Sequence, residues 1–206
     1  MTWCPSFLNV YEVSHYPLNK STQDLKQDHI TARRLRDIAQ TCSDKLYSNE
    51  NIPLEDIEII SVVIEEFVDK FHHGKEEQAY FPQTKYKHGF GEDIRKFLIE
   101  HELGRRIARM LLKELNEWKK SGNDLGREPV ARFLKSYAVF ITDHTGKEDS
   151  FFDSIEEKDS ISDEEDEMLL KHYESCRNSV GGKERIEQML KLIEYLENRS
   201  WMKRDV

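Results

Sequence analysis

Residues 128–157 constrain the fold of this chain most tightly. There Val130, Phe133, Leu134, Tyr137, Phe140, Ile141, Phe151 and Ile155 recur every three or four positions. At about 100° per residue such side chains line one face of a helix. His144 and Glu148 fall inside the same stripe. Three earlier segments repeat the pattern. Residues 21–46 carry Leu25, Ala32, Leu35, Ala39, Cys42 and Leu46, with His29 at the edge of the stripe. Residues 53–81 carry Ile57, Ile60, Ile64, Phe67, Val68 and Phe71, and residues 92–120 carry Phe97, Leu98, His101, Gly104, Ala108, Leu111, Leu112 and Leu115. Ser21 with Asp24 has the form of a capping box, and Pro53 suits a first helical position. Pro82 is expected to stop the second helix, and the glycines at 89, 91, 122 and 126 mark breaks.

Four helices of roughly 25–30 residues joined by short loops predict an all-α fold, an up-down-up-down antiparallel four-helix bundle spanning 21–157. Residues 1–20, with Pro5 and Pro17 and no apolar period, read as an N-terminal arm. Past an acidic, serine-rich stretch, two shorter helices near 164–177 and 183–199 are split by Gly181-Gly182. This C-terminal helical extension, 158–206, is expected to flank the bundle or to meet a protein partner.

Composition narrows the function. A chain of 206 residues buries a core without disulfides. Its three cysteines, Cys4, Cys42 and Cys176, are far apart and form no CxxC, which suits a reducing compartment. A net charge of −9 argues against general nucleic-acid binding. Charges break the longest apolar runs, and the N-terminus lacks the basic and apolar regions of a secretory signal. A soluble cytoplasmic protein with no membrane or nucleic-acid partner is expected.

Each long helix carries a histidine at its apolar face: His29, His72, His101 and His144. Glu76 and Glu148 follow two of them by four positions, one turn along the same side of a helix. Burying two carboxylates and four imidazoles without a cation would cost several kcal/mol per unpaired charge. Metal ions held between helices remove that cost, and iron, manganese and zinc all suit such donors. The second-helix stripe centres about 80° from His72 and nearly opposite His73, so His72 and Glu76 are expected to face inward more than His73 and Glu77. By the same rule Glu148 lies about 40° from His144, whereas Asp149 lies about 140° away and is expected in solvent. The four histidines also sit at similar heights in their helices, to within a few turns at about 1.5 Å rise per residue.

Other residues are open to two readings. Arg105, about 40° round from His101, could meet a carboxylate of the site or form a surface ion pair. Tyr137 is expected to pack in the core, and Tyr80 and Phe81 to wall the site. His15, His88 and the pair His172 and Cys176 read as outside it, and Arg33-Arg34-Arg36 reads as a solvated face.

Four motifs in order resemble those of the hemerythrin-like, or HHE cation-binding, family over roughly residues 20–157. They are Leu25 through Asp28-His29 followed by Arg33-Arg34; His72-His73-Gly74-Lys75-Glu76-Glu77 followed by Tyr80-Phe81-Pro82; Glu100-His101-Glu102-Leu103-Gly104-Arg105; and His144-Thr145-Gly146-Lys147-Glu148-Asp149. The resemblance implies a non-haem di-iron centre that reacts with dioxygen. Glu76 and Glu148 would bridge, His29 and His72 would hold one iron, and His101 and His144 the other. The oxygen-carrying members have two histidines four apart on the third helix. Here Phe97 and Arg105 stand at the positions four before and four after His101. A set of four histidines and two glutamates leaves more open coordination positions. That set favours sensing, scavenging or redox chemistry with dioxygen, peroxide or nitric oxide over reversible carriage. The alternative is a regulatory module in which the metal is structural or reports iron availability.

Overall fold

The computed structural model describes residues 18–203. The predicted N-terminal arm thus lies almost wholly outside the described residues, as do His15 and Cys4. The fold is all-α, with helices α1 (Lys20–Tyr47), α2 (residues 54–84), α3 (Gly91–Ser121), α4 (Arg127–Glu157), α5 (Asp163–Ser179) and α6 (Gly182–Glu197). The first four form the bundle. Ser43 Oγ donates to Ala131 O at 2.7 Å near one end of the α1–α4 contact, and Lys26 pairs with Asp153 near the other, so the two helices run antiparallel. Among the described residues no helix is long and apolar enough to cross a membrane.

The predicted stripes of α1 and α2 are buried, as is nearly all of that of α4. On α3, Leu98 and Leu112 are about 40% exposed. Each lies one position beyond a buried residue, Phe97 or Leu111, and the extra 100° carries it past the contact with α2 and α4. The buried side chains form two hydrophobic clusters. One gathers Leu35, Ile57, Phe67, Leu111 and Leu134, the other Leu25, Tyr80, Phe81, Phe97, Phe151 and Phe152.

The start of α1 departs from expectation. Ser21 and Asp24 form no capping box; the helix begins at Lys20, and Ser21 is buried in its first turn. The free backbone N–H groups find carboxylates from distant segments instead. Asp166 of α5 accepts from Ser21 N at 2.8 Å and Lys20 N at 3.2 Å, and Glu156 accepts from Asn19 N at 3.0 Å.

Helix α2 departs further. Over Ile64–His73, and again over Glu76–Tyr80, its turns widen to the i→i+5 pattern. Pro82 does not end the helix. It sits in the first turn of the ordinary helix that resumes at Phe81, where a missing N–H costs little, and the chain stays helical to Thr84.

The C-terminal helices dock on the bundle. Arg34 grips Glu197 with two bonds of 2.7 and 2.8 Å, and Arg185 grips Glu66 with bonds of 2.6 and 2.8 Å. Buried Asp56 accepts from Trp201 Nε1 and Arg199 Nε, each at 2.7 Å. A capping box of Ser162 and Glu165 opens α5. The turn into α6 uses Gly181 and Gly182 at φ of 105° and 79°, a region that favours glycine.

Candidate metal centre

Between the two hydrophobic clusters the four bundle helices bring their polar residues to one level. His29 comes from α1, His72, His73 and Glu76 from α2, His101 from α3, and His144 and Glu148 from α4. All seven are buried. The expectation that His73 would face away from the core is corrected here. A wide turn lags an ordinary helix by roughly 15–20° per residue. Over the ten residues Ile64–His73 that lag swings the inward face far enough to take in His73 along with His72. Runs of i→i+5 turns are uncommon and concentrate at functional sites.

The seven side chains form two clusters that could each hold a metal ion: His29, His72, Glu76 and Glu148 in one, and His73, His101 and His144 in the other. Both carboxylates reach both clusters. Glu148 Oε2 lies 3.2 Å from His29 Nε2 and from His144 Nε2, while its Oε1 lies 3.2 Å from His101 Nε2. Glu76 Oε1 lies 3.5 Å from His72 Nε2, and its Oε2 lies 3.5 Å from His101 Nε2. The Nε2 atoms of His29, His72, His73 and His144, both oxygens of Glu76 and Oε2 of Glu148 are buried without a hydrogen-bond partner. So many converging lone pairs with nothing to bond them is an arrangement that a cation satisfies.

The electrostatics of the cluster agree. Burial, then the Glu148 carboxylate, push the Glu76 carboxyl far up. Burial also acts to raise Glu148, but His144, His101 and His29 more than offset it and hold that carboxyl well below its usual value. Burial, then neighbouring His101, push His73 down to about 3, and burial with His29 and His73 pushes His72 well down. For His29 and His101 burial works downward too, yet hydrogen bonds to carboxylates turn the net shift upward. The shifts thus favour the protonated forms of His29, His101 and Glu76 and the neutral forms of His72 and His73.

A ring of carboxylates stands behind the imidazoles. Each Nδ1 faces one: His29 meets Asp149 at 2.8 Å, His101 meets Glu77 at 2.7 Å and His144 meets Glu100 at 2.9 Å. His72 faces Asp28 at 3.4 Å and His73 faces Asp69 at 3.5 Å. Cations back the ring in turn. Arg33 pairs with Asp149, Lys75 with Asp28 at 2.5 Å and also with Asp24, and Lys147 with Glu100 at 2.8 Å. Arg105 joins two sectors, donating from Nε to Asp69 at 2.7 Å and from a terminal nitrogen to Glu77. A carboxylate on Nδ1 fixes the tautomer that leaves Nε2 free and raises its basicity.

Several sequence expectations change accordingly. Asp149 does not face solvent but holds His29. Arg105 stands behind the histidines, and Arg33 and Arg34 are structural rather than solvated. The ring itself went unread, although four of its five carboxylates adjoin a cluster residue in sequence: Asp28 before His29, Glu77 after Glu76, Glu100 before His101 and Asp149 after Glu148. All four serve the histidine of another helix, Asp28 that of α2, Glu77 that of α3, Glu100 that of α4 and Asp149 that of α1, which spacing alone does not show.

The walls are aromatic. Phe81 stacks near His101 at 5.8 Å, Phe152 on His29 at 5.6 Å and Phe140 on His144 at 5.0 Å. Gly104 makes room for Phe140, since a Cβ there would fall 2.6 Å from its ring. Tyr80 stands one ring further out, against Phe152. Tyr137 packs in the core with an unpartnered hydroxyl. His88, His172 and Cys176 belong to neither cluster.

The sequence profile of the Hemerythrin HHE cation binding domain matches residues 20–153, which takes in nearly the whole bundle. No curated protein and no solved structure matches the chain.

Proposed function

This chain belongs to the hemerythrin HHE cation-binding domain family, and on that footing we propose that it is a cytoplasmic di-iron protein that binds or reacts with dioxygen, peroxide or nitric oxide in sensing, scavenging or redox work. The observation that carries this reading is the pair of buried clusters sharing Glu76 and Glu148, with their imidazole Nε2 atoms aimed at common centres. His29 and His72 would hold one ion, and His101 and His144, joined by His73, the other. Glu76 and Glu148 would bridge. When bound, the iron pair supplies electrons to an oxygen-derived ligand.

The chain's own residues set the conditions for that chemistry. Five imidazoles replace the four expected from sequence, because His73 supplies from α2 what α3 lacks. The single histidine of α3 therefore no longer counts against reversible carriage. Counting donors, the ion at His29 and His72 has one imidazole fewer than its neighbour, and the incoming ligand belongs on that side. The aromatic walls keep the site dry, which strengthens each electrostatic interaction within it.

A second reading is favoured by one contact. Lys75, wholly buried, pairs with Asp28 behind His72 and lies 5.0 Å from the ring of Tyr173 on α5. Through it, metal loading could set the pose of the C-terminal helices for a protein partner. Anaerobic purification, iron counting and absorption spectra before and after air separate the two. About two irons per chain with new visible bands in air support the first reading. Metal-dependent folding with no response to oxygen supports the second.

A further inference from the structure

We infer that Tyr80 is a redox-active residue that donates an electron inward to the metal pair while its proton leaves outward through Thr22 to Glu156. This rests on the di-metal reading above and goes beyond it. The phenol of Tyr80 is fully buried in α2. Its hydroxyl lies 2.9 Å from Thr22 Oγ, and the Thr22 hydroxyl donates to Glu156. A hydroxyl has one proton to give, so with Thr22 donating to the carboxylate, Tyr80 must donate to Thr22. The chain of bonds therefore has one direction, from a buried phenol to a carboxylate at the bundle rim. On the other side Tyr80 meets Phe152 at a centroid distance of 5.2 Å, and Phe152 stacks on His29 at 5.6 Å. Two short aromatic steps thus connect the phenol to a candidate metal ligand.

The other two tyrosines buried among the described residues sharpen the assignment. The hydroxyls of Tyr137 and Tyr173 have no hydrogen-bond partner. A phenol that loses an electron must also lose its proton, and among these three only Tyr80 has an acceptor in place.

The step balances as follows. Hydrogen peroxide takes up two electrons and two protons to give two waters. Where a bound metal pair could give only one electron, Tyr80 would supply the second and become a neutral phenoxyl. Its proton passes to Thr22 as the Thr22 proton passes to Glu156. Glu156 returns that proton to solvent, from which the peroxide draws its two. The phenol so protects the protein interior from a half-finished peroxide reduction.

The test uses the full chain loaded with iron and reduced by one electron per metal pair, mixed with one equivalent of hydrogen peroxide and frozen for electron paramagnetic resonance. The expected result is a phenoxyl signal that narrows with ring-deuterated tyrosine. It is lost in Tyr80→Phe while iron content and visible absorption stay unchanged. Thr22→Val and Glu156→Gln lower its yield, Thr22→Ser restores it, and heavy water slows its formation. A signal that survives Tyr80→Phe, or no signal in the unaltered protein at full iron content, overturns the inference. A chain that takes up no iron overturns the metal reading itself, and the inference falls with it.

Discussion

His73 and His101 lie ring over ring, with centroids 3.8 Å apart and planes 13° from parallel, although they come from different helices. Two imidazoles so close cannot both carry a proton at low cost, and burial with the His101 charge is what drives His73 down to about 3. Neutral and with a free Nε2, His73 is ready to ligate. His73→Ala is expected to lower bound iron from about two to about one per chain and to leave the His29 and His72 side loaded. Unchanged iron content in a folded variant would mean that His73 is packing only.

Arg105 neutralises Asp69 and Glu77 together. Arg105→Gln leaves both carboxylates without their cation, so His73 and His101 lose orientation at once. Metal affinity is expected to fall about 10- to 100-fold with the fold retained. Competition with a chelator measures the change. Arg105→Lys, which can meet only one of the two carboxylates well, should fall in between.

Loading should release protons. His29, His101 and Glu76 are all shifted upward, so each keeps its proton to a higher pH than the free side chain, and a metal must displace the protons they carry. Calorimetry in buffers of different ionisation enthalpy should register net proton release on loading, with affinity falling as pH falls. The metal-free fold has its own pH dependence. The raised His29 and His101 contribute stability that is full below the unfolded histidine value of 6.5 and is lost as pH rises through their folded values. His72 and His73, shifted down, act oppositely and destabilise as pH falls below 6.5.

Asp166 caps α1 from α5, through Ser21 N and Lys20 N. Asp166→Ala is expected to cost about 1 kcal/mol, as the loss of a capping side chain usually does. Urea unfolding gives the total. Hydrogen exchange should show the loss concentrated at the first turn of α1, two turns from His29, and an even spread over the bundle would argue against a capping role.

Gly104→Ala places a methyl group against Phe140, whose ring stacks on His144. Overpacking of this kind costs typically 1–3 kcal/mol. The expected result is a lower unfolding midpoint together with an altered visible spectrum of the iron-loaded protein. A stability loss with an unaltered spectrum would confine the strain to the α3–α4 contact.

The bundle was legible because α1 and α4 keep a constant angular step, so their buried residues fall where a 100° rule puts them. That rule failed at His73 because α2 changes its step at Ile64, and no residue type announces an i→i+5 turn. Capping of α1 was misread because its acceptor, Asp166, lies some 145 residues away in sequence. Four of the outer carboxylates are written beside the cluster residues, yet Asp28, Glu77, Glu100 and Asp149 each serve the histidine of a neighbouring helix, and only packing reveals that exchange.

The widened turns of α2 have a consequence for chain length. A segment that climbs less per residue needs more residues to reach the same height, so α2 carries surplus chain relative to a regular helix between the same end points. That surplus is what puts His72 and His73, adjacent in the backbone, on the same side of the helix. Deleting one exposed residue from it, such as Lys70, should tighten the turns and rotate one of the two imidazoles out of the core, whereas a helix-compatible substitution there, such as Lys70→Ala, should leave both in place. In this protein the number of imidazoles in the cluster is therefore set by the spacing of a helix as much as by its composition.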